Sequence, residues 1–238
     1  GANYQLDSDW AVFARISKGG RANADRLLFG KVNADGSVAK QDAVDEVTQY
    51  EFGSKSRHGN FNLFATAFFA ETEEQNFEAT SQRFFDRVYK AQGVELESSY
   101  RMGDVELRGS VTLTDAEISK DALNPAVVGN TPRRQADVLY SLLARYYLEK
   151  AQLGLSVIGS SDAYAQDNND LKFSGYAQVN AFASYNLAEN LQLSFNINNL
   201  FDEVGLTEAE EGSVPTNGII RARAINGRTA SLGLRYQF

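Results

Sequence analysis

The chain has 238 residues, no cysteine and a formal net charge of −8. That length permits one large all-β domain, the lack of cysteine removes disulfide frameworks and thiolate metal sites, and the acidic balance excludes nucleic acid as a partner, because no basic patch is large enough to neutralise a run of phosphates. Eleven Tyr and fifteen Phe beside three Pro and one Met suit pleated sheets. Nowhere do 18 apolar residues run together, which excludes a transmembrane helix. It does not exclude the membrane, since alternating strands are hidden from hydropathy.

The N-terminus carries no charged-apolar-small signal pattern, so the expectation is a removed leader or a piece of something longer. Residues 1–6 alternate, with Ala2, Tyr4 and Leu6 on one face, and run into a turn at 7–9. They read as the tail of a strand. Residues 10–18 follow, with Val12, Ala14 and Ile16 opposite Phe13, Arg15 and Ser17, and then a long Gly-, Asn- and Asp-rich loop over 19–45. Residues 47–57 resume a strand, and a minimal turn at 58–60 returns the chain through 61–73. That strand is aromatic on both faces, so its sides stay unassigned. A polar segment over 74–82 reads as the next long connection.

The strand over 84–102 sets Val94, Leu96, Ser98 and Tyr100 against Glu95, Glu97, Ser99 and Arg101, and Gly103-Asp104 makes a two-residue hairpin turn. Residues 105–114 give the clearest alternation in the chain, before a loop over 118–132 that contains Pro125 and Pro132. Residues 134–149 carry Val138, Tyr140, Leu142, Ala144, Tyr146 and Leu148 on one face. A tight turn at 150–151 leads to Leu153, Leu155 and Val157, and 159–172 is polar. Residues 173–187, a turn at 188–190, Leu191 to Ile197, a loop over 202–227 and residues 228–238 complete the chain. In the last segment Ala230, Leu232, Leu234, Tyr236 and Phe238 share a face opposite Thr229, Ser231, Gly233, Arg235 and Gln237.

Short turns thus alternate strictly with long connections, so in an up-and-down antiparallel sheet all the turns lie at one end and all the loops at the other. Short periplasmic turns and long extracellular loops are the signature of outer-membrane barrels. A soluble β-sandwich shows the same alternation along a strand, but its Greek-key connections mix lengths at both ends. The expected fold is therefore all-β: an antiparallel up-and-down transmembrane barrel wall of ten whole strands and one partial first strand.

The residues Leu191-Gln-Leu-Ser-Phe-Asn-Ile-Asn-Asn-Leu-Phe-Asp202 and the ending Leu232-Gly-Leu-Arg-Tyr-Gln-Phe238 resemble the closing strands of TonB-dependent outer-membrane transporters. Tyr50-Glu-Phe-Gly-Ser-Lys55 and Gly93-Val-Glu-Leu-Glu97 are similar to two further phrases of that family's barrel. The resemblance covers essentially the whole chain and implies active uptake of a scarce nutrient, a ferric siderophore first. It implies as partners the lipid bilayer with its lipopolysaccharide, an N-terminal plug, the TonB complex acting through that plug, a small-molecule ligand, and the barrel-assembly machinery reading Tyr236 and Phe238. The family's barrel has about 22 strands around a plugged lumen, so this chain is expected to be the C-terminal half, beginning within a strand, with plug and first strands lying outside it. The competing expectation is a self-contained small barrel acting as passive pore or adhesin.

No enzymatic chemistry is expected. His58, the one histidine, falls on a short turn, at the wrong end for an outward-facing catalytic site. No cofactor or metal is expected either. Asp167-Asn-Asn-Asp170 lacks the glycine and distal glutamate of a calcium loop, and Glu208, Glu210 and Glu211 read as a hydrated loop tip. Arg133, Arg134, Arg221 and Arg223 stand where long loops meet strands, and their guanidinium forks suit carboxylate, catecholate or phosphate groups of a ligand. Phe84, Phe85 and Tyr164 are candidates for stacking on a ligand ring. The structural alternatives are pairing with acidic neighbours for the arginines and a place in the interfacial girdle for the aromatics.

Overall fold

The computed structural model describes residues 1–22, 34–37, 44–78 and 83–238. Along them run β1 (Ala2–Gln5), β2 (Trp10–Ala22), β3 (Val44–His58), β4 (Phe61–Glu78), β5 (Arg83–Met102), β6 (Val105–Asp121), β7 (Val138–Tyr147), β8 (Ala151–Ser160), β9 (Ala163–Tyr164), β10 (Lys172–Phe173), β11 (Tyr176–Ala188), β12 (Leu191–Asn198), β13 (Leu206–Ala209), β14 (Ala222–Ala224) and β15 (Thr229–Tyr236). One eleven-stranded sheet takes β1 to β8, then β11, β12 and β15, in chain order. The pairs β9–β10 and β13–β14 are small hairpins within long loops. Among the described residues β1 and β15 pair on one side only, so the sheet is open.

Register gathers the alternating residues of each strand into two continuous faces. On one, Ile16 lies opposite Tyr50 and Tyr50 opposite Phe69; Leu96 meets Val111 and Val111 meets Tyr140; Leu142 meets Val157, Val157 meets Val179, and Phe195 meets Leu232. The other face is polar, with rows such as Asn62, Ser99 and Arg108, or Thr66, Glu95 and Thr112. The ambiguity of β4 is settled by its neighbours. Leu63, Ala65, Ala67 and Phe69 join the apolar face through their partners Ser56, Ser54, Phe52 and Tyr50, while Phe64 and Phe68 stand on the polar one.

The apolar face has nothing from this chain to pack against. Ile16 is 70% exposed and Leu232 71%, and the buried hydrophobic residues among those described are mostly at the long loops: Ile118, Val127, Ala136, Ala165 and Ala209. A sandwich would bury that face against a second sheet; here it is left for lipid, since apolar area of this extent is not tolerated in water. Trp10, Phe61, Tyr100, Tyr146, Tyr185 and Tyr236 line its short-turn margin, the place of an interfacial aromatic girdle. No helix of the described residues is long and apolar enough to cross a membrane.

Several strands outrun the lengths expected from alternation. The segment 74–82 is not a long loop: β4 and β5 stay paired out to Glu78 opposite Arg83. Similarly β2 runs to Ala22, β3 starts at Val44 and β6 ends at Asp121. A membrane strand needs about 9–11 residues, so the 20 residues of β5 project well past the bilayer. There both faces meet water, and the alternation that marks a strand disappears while the hydrogen-bond ladder continues.

Glycines on the polar face lie directly under aromatic rings of the adjacent strand, among them Gly53 under Phe13 and Gly154 under Phe182. A Cβ at either position would collide with the ring. Covering a strand glycine with a cross-strand aromatic restores the contact the missing side chain forfeits.

Candidate ligand vestibule and lumen wall

At the long-loop end three connections are fastened into one block. Asp121, its side chain fully buried, accepts from the Arg87 guanidinium and also from the backbone N–H groups of Leu123 (3.0 Å) and Asn124 (2.9 Å), turning the chain out of β6. Arg87 reaches on to Asp167 at 2.7 Å, 80 residues away in sequence. Asp167 also accepts from the Arg133 amide at 2.9 Å, and Asn169 exchanges hydrogen bonds with both backbone groups of Thr131 at 3.0 and 2.8 Å. Gln166, 1% exposed, donates to the Glu211 carbonyl at 2.9 Å. Asp167, Asn169 and the Gln166 amide nitrogen thus each have a partner in another connection, the condition under which burial is tolerated, while the Gln166 Oε1 is buried with no partner among the described residues.

The corner above β12 is fastened likewise. Asn199, 1% exposed and in the left-handed backbone region (φ 53°), donates to the carbonyls of Glu203 and Asn226, each at 2.9 Å, and accepts from the Glu203 amide. Asp202 accepts from the Arg228 amide at 2.7 Å. The phrase Asn198 to Asp202 is therefore a structural clasp: it launches the loop and ties the loop's far end to β15.

The sequence-selected arginines gather at this end. Arg134 (φ 66°) donates its amide to the Tyr164 carbonyl at 2.7 Å and its guanidinium to Glu208 at 2.6 Å. Glu208 also faces Arg223, at 3.8 Å. Arg221 donates to Glu211 from both its side chain and its amide, each at 2.9 Å, and pairs with Glu210 at 3.1 Å. These contacts, chiefly the side-chain hydrogen bond and then the amide, hold the Glu211 carboxyl below the ordinary glutamate range. Arg133 is exposed, and its guanidinium has no carboxylate partner among the described residues. The Tyr164 ring lies 4.7 Å from the Lys172 ammonium. The side chains of Phe84 and Phe85 lie outside the described residues. Tyr236 and Phe238 meet edge to face at 5.3 Å.

Below, the polar face forms a wall of hydroxyls, amides and charged groups. Arg15 grips Glu51 through two nitrogens at 2.7 Å, Ser110 bonds Ser141 at 2.7 Å, and Asn62 donates to Ser99 at 3.0 Å. Near the short turns Glu106 accepts from Arg108 at 2.6 Å, from Arg145 at 3.2 Å and from the Tyr147 hydroxyl at 2.6 Å. Arg87, Asp121, Gln166 and this lower cluster were not singled out from sequence. Alternation gives the face of the lower cluster, but these meetings depend on register between strands far apart in the chain. Among the described residues no group of three His, Cys, Asp or Glu could hold a metal ion.

A single-layer sheet that is apolar towards one side and polar towards the other, with turns at one rim and fastened loops at the other, is the wall of an outer-membrane β-barrel. The family model for "TonB dependent receptor-like, beta-barrel" matches residues 1–200, and the chain belongs to that family, which places it in the bacterial outer membrane. It is 24% identical over 247 residues to the pesticin receptor of Yersinia enterocolitica, covering 100% of this chain and 35% of that protein. It is 26% identical over 211 residues to the ferric-pyoverdine BN7/BN8 receptor of Pseudomonas putida, covering 85% and 24%. The crystal structure of the ferric yersiniabactin uptake receptor FyuA from Yersinia pestis superposes with a TM-score of 0.78 at 20% identity, over 99% of this chain and 36% of that one. The chain thus spans about a third or less of the length of these proteins.

Proposed function

We propose that the chain supplies the C-terminal part of the barrel of a TonB-dependent receptor that takes up a ferric siderophore. The observation that carries this reading is the continuous polar face running from an arginine-bearing block of loops to the short-turn rim, on a wall whose relatives include a ferric-pyoverdine receptor. Arg133, exposed at the block, is the guanidinium most available to anionic groups of the chelate. Arg134, Arg221 and Arg223, paired with Glu208, Glu210 and Glu211, shape the loops around it, and Tyr164, Phe84 and Phe85 are its stacking candidates. The protein acts as receptor and transporter and performs no covalent chemistry.

In this reading a plug fills the lumen and carries the contact with TonB, the bilayer and lipopolysaccharide meet the apolar face, and the assembly machinery reads the C-terminal aromatics. A passive pore or adhesin is the less favoured reading, because the matched relatives are receptors of this family. Uptake of radioactive iron tests it, in cells deleted for the receptor and complemented with it. Iron presented as catecholate, hydroxamate and mixed-ligand chelates should enter for at least one class and only when TonB is present. Equal uptake without TonB would turn the reading towards a passive pore.

A further inference from the structure

We propose that the wall formed by β8, β11, β12 and β15 is the lane along which a ferric chelate with anionic groups, once released by the loops, crosses the barrel. This rests on the uptake reading above and adds which side of the lumen the substrate follows, and through what chemistry. The inward rows of these strands are mostly amides and hydroxyls, among them Ser156 on β8, Asn180 and Ser184 on β11, Asn196 on β12 and Ser231 on β15. The four strands together hold one charged residue, Arg235, near the short-turn rim. The neighbouring wall differs. In the very rows that Ile158, Ser156 and Gly154 continue, β5 to β7 present Glu97, Arg108 and Arg145.

A wall that holds an ion and a wall that passes one need different chemistry. Passage requires sites favourable enough to enter and weak enough to leave. An anionic chelate beside a guanidinium meets hydrogen bonds roughly twice as strong as those of neutral groups, and beside a carboxylate it is repelled. Amides and hydroxyls offer donors and acceptors together, so they replace part of the chelate's hydration at each height without a step that traps it. In this lane such groups are already linked. Gln178 donates to Asn180 at 2.8 Å and Asn180 to Ser156 at 3.3 Å, while the Asn180 Oδ1 also accepts the Asn199 amide at 2.9 Å. The track of neutral groups therefore starts at the clasp beneath the loops.

Position agrees with this use. The connections over 161–175 and 199–228 rise from the upper ends of these four strands and bear Tyr164, Arg221 and Arg223. A chelate leaving the block enters at the head of the lane. Neighbouring strands lie about 4.8 Å apart, so the lane is about 15 Å across. It runs from Ser160 and Asn198 at the loop end to Gln152 and Gln192 at the turn end.

The test places charge in the lane of the complete receptor and reads binding and uptake separately, using the radioactive ferric chelate that the wild type takes up best. Ser156→Arg and Asn196→Arg should bind that chelate as tightly as the wild type, while the maximal rate of TonB-dependent uptake falls about tenfold. Ser156→Gln, which adds length without charge, and Thr112→Arg, placed beside Glu95 on the charged side, should transport near the wild-type rate. If Ser156→Arg fails to reach the folded form on unheated gels, Asn196→Arg serves with Asn196→Gln as its neutral counterpart. Wild-type rates in the arginine variants of the lane, or equal slowing by Thr112→Arg or by the glutamine variants, would overturn the lane and leave the uptake reading standing. A wild-type receptor that takes up no chelate in a TonB-dependent way would instead remove the uptake reading itself.

Discussion

Asp121 is a central side chain of the outer rim among the described residues. It combines an ion pair to Arg87 with two backbone caps, and its burial makes each of these hard to replace with water. Asp121→Ala leaves Arg87 short of one carboxylate and frees two amides, a loss of about 3–5 kcal/mol for a broken buried pair. The loss should be local: limited proteolysis on intact cells should cut faster within residues 122–137, with the barrel still folded. Glu211 behaves differently because it is only half-buried. Its carboxyl is held below the ordinary glutamate value by Arg221, so its contribution is complete above that value and is lost as pH falls through the depressed one. Hydrogen-exchange protection of the Arg221 amide, which donates to Glu211, should fall over that acid range. In Glu211→Gln, protection should no longer depend on pH there.

Each strand reads as two interleaved rows with different solvents, and neighbouring residues should therefore tolerate opposite changes. Leu155, mid-strand on the apolar side of β8, and Ser156, on the polar side, are a direct comparison. Leu155→Arg puts a charge near the bilayer midplane at a cost of about 2–4 kcal/mol, whereas a lumen substitution does not meet lipid. Ser156→Arg loses little beyond a 3.3 Å hydrogen bond from Asn180. On unheated gels the complete receptor with Leu155→Arg should show less fast-migrating folded barrel, and with Ser156→Arg nearly the wild-type amount. Equal yields would mean the faces are assigned wrongly.

The molecule as a whole has a base, a wall and a roof, and the three differ in what holds them. Turns and aromatics fix the base at the membrane boundary, the ladder and lipid hold the wall, and buried side-chain networks hold the roof. Only the roof presents Arg133 to the outside without a carboxylate partner among the described residues. Arg133→Ala in the complete receptor should weaken binding of its ferric chelate about 10–100-fold, the worth of one charge-assisted hydrogen bond at ~1.5–3 kcal/mol. Arg221→Ala should instead act through loop order, raising protease sensitivity over 202–227 more than it changes affinity. Titration of iron chelates against each purified variant reads the difference.

Legible in the chain alone were the number of crossings, the faces of the alternating runs such as 94–101, 105–114 and 138–148, and the gathering of most long connections at one end. These follow from a period of two against two solvents, a local property that no distant residue alters. The sides of β4 came from its neighbours, because Phe64 and Phe68 break the pattern and register with β3 and β5 settles it. The same holds for the reach of β4 and β5 beyond the bilayer, where water on both faces erases the period. It holds too for the meetings of Arg87 with Asp167 and of Arg145 with Glu106. A salt bridge between strands depends on how far each has slid along its neighbour, and that is fixed by the ladder and its turns together, not by either residue's own surroundings in the chain.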